Sequence, residues 1–248
     1  MTYGPYAAVY NREHGPRLPP LLIPVLERLL CEHLPPAAEL LDLCCGTGQI
    51  AGALHARGYR MTGIDICPEM LAFARVNAPG CRFLRGDARD FDLPAVHHGA
   101  LSTADSINHI VDPGDLVRVF ANVHRALRAG GRFAFDVLLA EHYHPEPRRV
   151  FTKVEEDYVL VSREEVAAEE RLSRCDMTLF YRRDEDTPAD GWRRWDSTSW
   201  ERLYTAAELE SALATAGFGE IRIYPRGEGM GIEDPLGRTY VVAVKPGV

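Results

Sequence analysis

One segment constrains this chain more than any other: Leu40-Leu41-Asp42-Leu43-Cys44-Cys45-Gly46-Thr47-Gly48-Gln49-Ile50-Ala51, an apolar run that enters a glycine loop and then opens a helix. A run of that kind is a strand buried on both faces, and the loop after it sits where its carboxyl end meets a ligand. Gly46 and Gly48 let the backbone come close to that ligand. The helix start beyond them offers unpaired N–H groups and a positive dipole end, which suit a carboxylate or a phosphate. Seventeen residues after Gly48, Asp65 ends the next apolar run, where an acid can accept from two ribose hydroxyls.

The rest of the chain extends this opening. Apolar runs at Leu40 to Cys44, Arg60 to Ile64, Cys81 to Leu84, Ala100 to Ala104 and Arg132 to Leu138 alternate with helical stretches. That alternation predicts an α/β fold, a Rossmann-like, mostly parallel sheet flanked by helices. Upstream, Leu21, Leu22, Val25, Leu26, Leu29 and Leu30 repeat at helical spacing, with Pro24 expected in the first turn and Pro35-Pro36 as the stop. Pro68-Glu69 opens another helix, and Leu116, Val119, Phe120, Val123 and Leu127 form the buried stripe of a third, which Gly130-Gly131 should terminate. Thr205-Ala206-Ala207-Glu208 is a capping box with Gly217 as the stop, and two strands follow at about Glu220 to Tyr224 and Thr239 to Val244.

Between Leu139 and Tyr204 the pattern changes: Val150 to Ser162 and Cys175 to Arg182 alternate polar and apolar residues, as antiparallel strands do. The expected organisation is an N-terminal helical lid over 1–36, a nucleotide-binding domain over 37–140 and 204–248, and an antiparallel β insertion over 141–203. The insertion holds Tyr158, Phe180, Tyr181, Trp192, Trp195 and Trp200. They read either as a small secondary core or as the aromatic face of a substrate cap.

Several functions are excluded or disfavoured by composition and motif. With 28 basic and 36 acidic residues the formal charge is −8, a poor balance for gripping nucleic acid. No apolar run approaches the roughly 20 residues of a membrane span, and the start lacks a signal-peptide pattern, so a soluble cytoplasmic protein is expected. The six cysteines form no Cys-x-x-Cys pair and read as reduced thiols, and the histidines at 97, 98, 142 and 144 show no metal-ligand spacing, so no metal is expected. Only Lys153 and Lys245 are lysines, which rules out a P-loop and a Tyr-x-x-x-Lys pair, and no Gly-x-Ser-x-Gly elbow occurs.

Gly46-x-Gly48-x-x-Ala51 followed by Asp65 fits a dinucleotide as well as S-adenosylmethionine. Asp42 at the strand end and Gly86-Asp87-Ala88 after the third strand tip the balance toward the second, because an amino-acid tail and an adenine amino group each want an acid. On these residues the chain resembles class I S-adenosylmethionine-dependent methyltransferases, with Cys44 replacing the first glycine of the family's loop. The resemblance implies that Gly46 and Gly48 border the methionine part and Asp65 binds ribose. It further implies that Ile66 packs on adenine and that Asp87 with the Ala88 amide reads the adenine edge.

More narrowly, the chain resembles the small-molecule branch that includes amino-sugar N-methyltransferases. There a tyrosine-bearing N-terminal helix closes over the cofactor, a part open to Tyr3, Tyr6, Tyr10 and Arg12, with Tyr10 chosen for the carboxylate. Ser106-Ile107-Asn108-His109 matches that branch's stretch after the fourth strand, which turns the carbonyls of Thr103 or Ala104 toward the cofactor's amino group. It also makes His109 the reachable base for an alcohol or phenol. His14 and Arg12 otherwise read as solvated charges, and His109 as a satisfied histidine at a helix start.

The expectation is therefore an enzyme that moves a methyl group from S-adenosylmethionine to a nitrogen or oxygen of a small molecule, in secondary metabolism. The alternatives are a non-methyl user of the same cofactor, an NAD-linked oxidoreductase, or a protein that binds S-adenosylmethionine without turnover. The expected partner is a small-molecule acceptor and not nucleic acid or membrane, with the tyrosine-rich N-terminus and the insertion as candidate homodimer surfaces.

Overall fold

The computed structural model describes residues 3–142, 148–182, 191–229 and 237–247. Seven strands form one sheet: β1 (Glu39–Leu43), β2 (Arg60–Asp65), β3 (Arg82–Arg85), β4 (His97–Ser102), β5 (Leu127–Val137), β10 (Gly219–Tyr224) and β11 (Thr239–Val244). Their order is β10-β11-β5-β4-β1-β2-β3, with β1 to β5 parallel and β11 antiparallel to both its neighbours. Strand order reverses between β1 and β4, which places the ligand crevice at the carboxyl ends of those strands.

Adjacent residues of each strand bury to opposite sides, as the two-residue repeat demands. Leu40, Leu101 and Ala134 join one core with α2 (Leu18–Leu29), α3 (Gln49–His55) and α4 (Pro68–Asn77). Leu41, Leu43, Ala100, Phe133 and Phe135 join the other with α5 (Pro113–Ala126) and α6 (Ala206–Thr215). Two covered faces explain the near-continuous apolar runs.

Two helix limits depart from expectation. Pro24 lies inside α2, a turn beyond Pro19 and Pro20, not in the first turn. The amide it lacks would have met the Pro20 carbonyl, and both prolines are exposed, so water can serve that carbonyl. α5 ends at Ala126, ahead of Gly130-Gly131, because Leu127 already turns to φ −82°, ψ 145° and pairs with His97 of β4. Its start is fixed by Asp112, whose carboxylate accepts from the amides of Gly114 and Asp115 at 2.7 and 3.1 Å. The capping box of α6 is present, with the Glu208 amide donating to Thr205 Oγ1 at 3.2 Å and the Thr205 amide to Glu208 Oε2 at 2.8 Å.

A separate antiparallel meander holds β6 (Arg148–Val154), β7 (Tyr158–Ala167), β8 (Leu172–Tyr181) and β9 (Arg193–Arg202). Its inner face carries Tyr158, Leu160, Met177 and Leu179, which pack on Tyr6 and Val9 of α1 (Tyr6–Glu13), with Tyr181 and Trp195 at the margin. Trp192 and Trp200 stay outside this small core and are exposed. The other side of α1 rests on the main body, where Ala7 meets Cys67 and Met70. Thus α1 is wedged between the two sheets. Arg12 with Asp157 at 2.7 Å and Glu13 with Lys153 clip its end to the β6–β7 hairpin. None of the described helices is long and apolar enough to cross a membrane.

Candidate active site

A cavity of about 880 Å³ opens at the carboxyl ends of β1, β2 and β4 and is closed by α1 and by β8 and β9. That volume suits a nucleoside-sized molecule together with a small second one. At its floor the loop after β1 makes two left-handed turns, Cys44 at φ +59° and Gly46 at φ +54°. Cys44 therefore holds the conformation that a glycine would take at that position, at a cost of about 1–2 kcal/mol for a residue with a Cβ. A Cβ on Gly46 would meet only Tyr10 Cε1, at 3.9 Å, so this backbone faces the cavity.

Gly48 has a different task from the one expected. It is absent from the cavity wall, and a Cβ there would sit 2.9 Å from Ala74 Cβ and 3.1 Å from Phe83 Cζ. Its bareness, with φ +79°, lets the loop pack on α4. Asp42 is also off the wall: it is 1% exposed beneath the loop, and among the described residues its Oδ2 has no hydrogen-bond partner. Burial, with the nearby Asp65 charge, pushes its carboxyl up to about 8.

Asp65 ties the floor together. Its Oδ2 accepts from the Gly46 amide and its Oδ1 from the Cys67 amide, both at 2.8 Å, and each oxygen keeps a further lone pair. Burial raises its carboxyl, and the amides of Cys67, Gly46 and Ile66 pull it back. Ile66 and Ala88 line the same wall. Asp87 lines it too, but its carboxylate is gripped by Arg89, at 2.6 Å from Nη2 and 2.9 Å from Nε, which holds it below the usual carboxylate range. Arg89 thus competes for the oxygens expected to read adenine.

The end of β4 is strained and braced. Ala104 and Asp105 both have positive φ, +62° and +52°. Their amides donate to the buried Asp136 carboxylate at 2.9 and 2.6 Å, which fixes an otherwise costly geometry. The Thr103 carbonyl accepts from Ser106 Oγ at 2.8 Å. Ser106 to His109 form a 3-10 turn, so His109 closes a turn where a helix start was expected. Asn108 is structural: its amide donates to the Leu138 and Arg202 carbonyls at 2.9 and 2.7 Å. His109 lines the cavity, with Nδ1 3.3 Å from the Trp200 carbonyl and Nε2 3.5 Å from Glu201 Oε1.

Tyr3, Tyr6 and Tyr10 all reach the cavity, and burial raises each phenol, Tyr6 to about 12. Arg12 turns away to Asp157, and its guanidinium lies 4.8 Å from the Tyr158 ring. His14 is not merely solvated: it lines the cavity beside Tyr10, ring centres 5.5 Å apart, and burial lowers its pKa. Two wall residues had no sequence signal: Arg238 reaches Asp105 at 3.1 Å and Asp136 at 3.2 Å, and Glu201 meets His109. Trp200, one of the insertion's aromatics, lines the cavity, and Trp192 is not part of its lining. Among the described residues no cluster of three or more His, Cys, Asp or Glu could hold a metal ion, and His144 lies outside them. His97 and His98 serve strand β4, through contacts to the Ala126 carbonyl and the Glu39 amide.

Residues 40–131 match the methyltransferase domain family. The putative methyltransferase YqeM of Bacillus subtilis is 28% identical over 228 residues, which cover 88% of this chain and 87% of that one. Among solved structures, an S-adenosylmethionine-dependent methyltransferase from Clostridium acetobutylicum superposes with a TM-score of 0.76 at 21% identity, covering 99% of both chains. The amino pentose methyltransferase CalS10 of Micromonospora echinaspora, bound to S-adenosylmethionine, gives 0.72 at 24% identity, covering 97% of this chain and 95% of that one. Domain, relative and fold agree: residues 40–131 carry a methyltransferase domain, and the chain as a whole has the fold of S-adenosylmethionine-dependent methyltransferases.

Proposed function

We propose that this enzyme methylates a nitrogen or oxygen atom of a small molecule, in the cytoplasm and as part of secondary metabolism. The observation that carries the reading is the shared cavity: the Gly46 backbone and Asp65 stand at one end, His109 and the insertion's strand β9 at the other. Asp65 fits the donor, since its two oxygens retain lone pairs for vicinal hydroxyls after accepting the Gly46 and Cys67 amides. Gly46 offers a floor without a Cβ, and α3 starts without a side-chain cap, leaving its first amides for a carboxylate. In this reading Tyr10 faces that carboxylate, and Ile66, Asp87 and Ala88 hold the adenine. Thr103 and Ala104 border the amino group, and Asp42 and Gly48 act from beneath the loop. Residues 1–36 form the lid, 37–140 with 204–248 the binding domain, and 141–203 the cap.

Bound S-adenosylmethionine supplies an electrophilic methyl group on a positively charged sulfur. The chain's own task is alignment and exclusion of water, which can contribute on the order of 7–11 kcal/mol. Calorimetric titration with S-adenosylmethionine, S-adenosylhomocysteine and NADH tests the donor site. Binding of the first two and not the third is expected, and a preference for NADH would overturn the reading. Incubation with methyl-labelled donor and a metabolite extract should place label on a small molecule. Binding without label transfer would make the protein a sensor.

A further inference from the structure

The acceptor end of the cavity holds a carboxylate whose chemistry the methyl-transfer reading leaves unused. Glu201 comes from β9, lines the cavity and keeps 22% of its side chain open. Among the described residues, the basic group within ion-pair distance of it is His109, at 3.5 Å. The Trp200 carbonyl can only accept, so His109 Nδ1 carries the hydrogen that it shares with that carbonyl. His109 Nε2, 3.5 Å from Glu201 Oε1, is then an acceptor that the Glu201 carboxyl can meet when it carries a proton. Both ring nitrogens of His109 thus have neighbours on β9, and the Glu201 carboxyl lines the same cavity.

Resting on the methyl-transfer reading, we propose that Glu201 is the catalytic residue that takes the proton from the methyl acceptor, and that His109 is a positioning residue that orients its carboxyl. The proton of the acceptor's ammonium N–H or hydroxyl O–H moves to a Glu201 oxygen. The freed lone pair bonds to the methyl carbon as the carbon–sulfur bond breaks, and that bond's electrons remain on the neutral sulfur. The surroundings suit the task. Burial, together with the charges of Asp105 and Glu164 and against that of Arg238, pushes the Glu201 carboxyl up to about 8, well above an ordinary glutamate. Cys175 and Tyr6, both raised by burial, line the cavity beside this group, and burial lowers the pKa of His109.

The test needs no knowledge of the acceptor. Sinefungin is a donor analogue that carries an amine where the donor carries its reactive methyl, so it sets an ammonium at the point of transfer. Calorimetry compares it with S-adenosylhomocysteine between pH 6 and 9. In the wild-type protein the preference for sinefungin should rise about tenfold as pH passes through 8 and Glu201 ionises. Glu201→Gln should lose that rise and keep its S-adenosylhomocysteine affinity, Glu201→Asp should retain part of it, and His109→Asn should move its midpoint. An unchanged pH-dependent preference in Glu201→Gln would overturn the proposal. If that variant loses both ligands, Glu201→Asp decides: a retained rise supports the proposal, and loss of both ligands assigns Glu201 to the fold alone. Failure of the wild-type protein to bind either ligand would instead sink the donor reading.

Discussion

The two parts of the cavity are built differently. At the proposed donor end, backbone does most of the positioning: the β1 loop in left-handed turns, Asp65 fastened by two amides, and the Ala104 and Asp105 amides fastened by Asp136. At the proposed acceptor end, side chains from the 3-10 turn, from β9 and from the segment before β11 converge, and the contacts around His109 are longer, 3.3 and 3.5 Å. A frame of short backbone hydrogen bonds fixes geometry for a ligand that is always the same. Side chains on a cap can change without disturbing the sheet, so this end can be adapted to a particular acceptor.

If that contrast holds, damage to the donor end costs binding and damage to the acceptor end costs turnover. The largest effect is expected for Asp65→Ala, which removes the proposed ribose partner and frees the Gly46 and Cys67 amides. Two charge-assisted hydrogen bonds at about 1.5 kcal/mol each correspond to a loss on the order of 100-fold in S-adenosylhomocysteine affinity, measured by calorimetry. Wild-type affinity in that variant would break the comparison at its stronger end.

A smaller effect, about tenfold, is expected for His109→Ala, and it should fall on kcat for the acceptor found by methyl labelling. Donor affinity should stay within a factor of two. A matching loss of donor affinity would mean that the two ends are not separable.

Least of all should depend on the clip between α1 and the β6–β7 hairpin. Arg12 and Asp157 have side chains 49% and 44% exposed, and pairs of that kind contribute about 1 kcal/mol or less. Arg12→Ala should therefore lower the melting temperature by only a few degrees. A larger drop would show that α1 is held by charge, and not by the packing of Tyr6 and Val9 on Tyr158 and Leu160.

The donor end was legible because its signals are local. The strand, the glycine loop and Asp65 lie within 26 positions of one another, and each residue type there answers to the geometry of its own few neighbours. Even so, locality misled at Gly48, whose missing side chain serves Ala74 and Phe83, residues that reach it only after α4 has folded back. Pro24 misled for a related reason: helical periodicity marks the helix, but whether its interior tolerates proline depends on which side meets solvent. Glu201 and Arg238 gave no signal at all. Alternation along β9 cannot tell an inward acid at a reaction site from a solvated one.

Sequence alone determined the alternation of buried strands and helices, the loop that opens toward a ligand, and the acid that follows it, because periodicity and turn chemistry act over a few residues. Tertiary structure decided which groups face one another across the cavity. His109 and Trp200 stand 91 positions apart in the chain and Asp105 and Arg238 133 apart, and they meet only because β9 folds over the end of β4 and the chain returns through β11. The charge state of such groups follows from that meeting, since burial and the neighbouring charges that shift it exist only in the folded molecule.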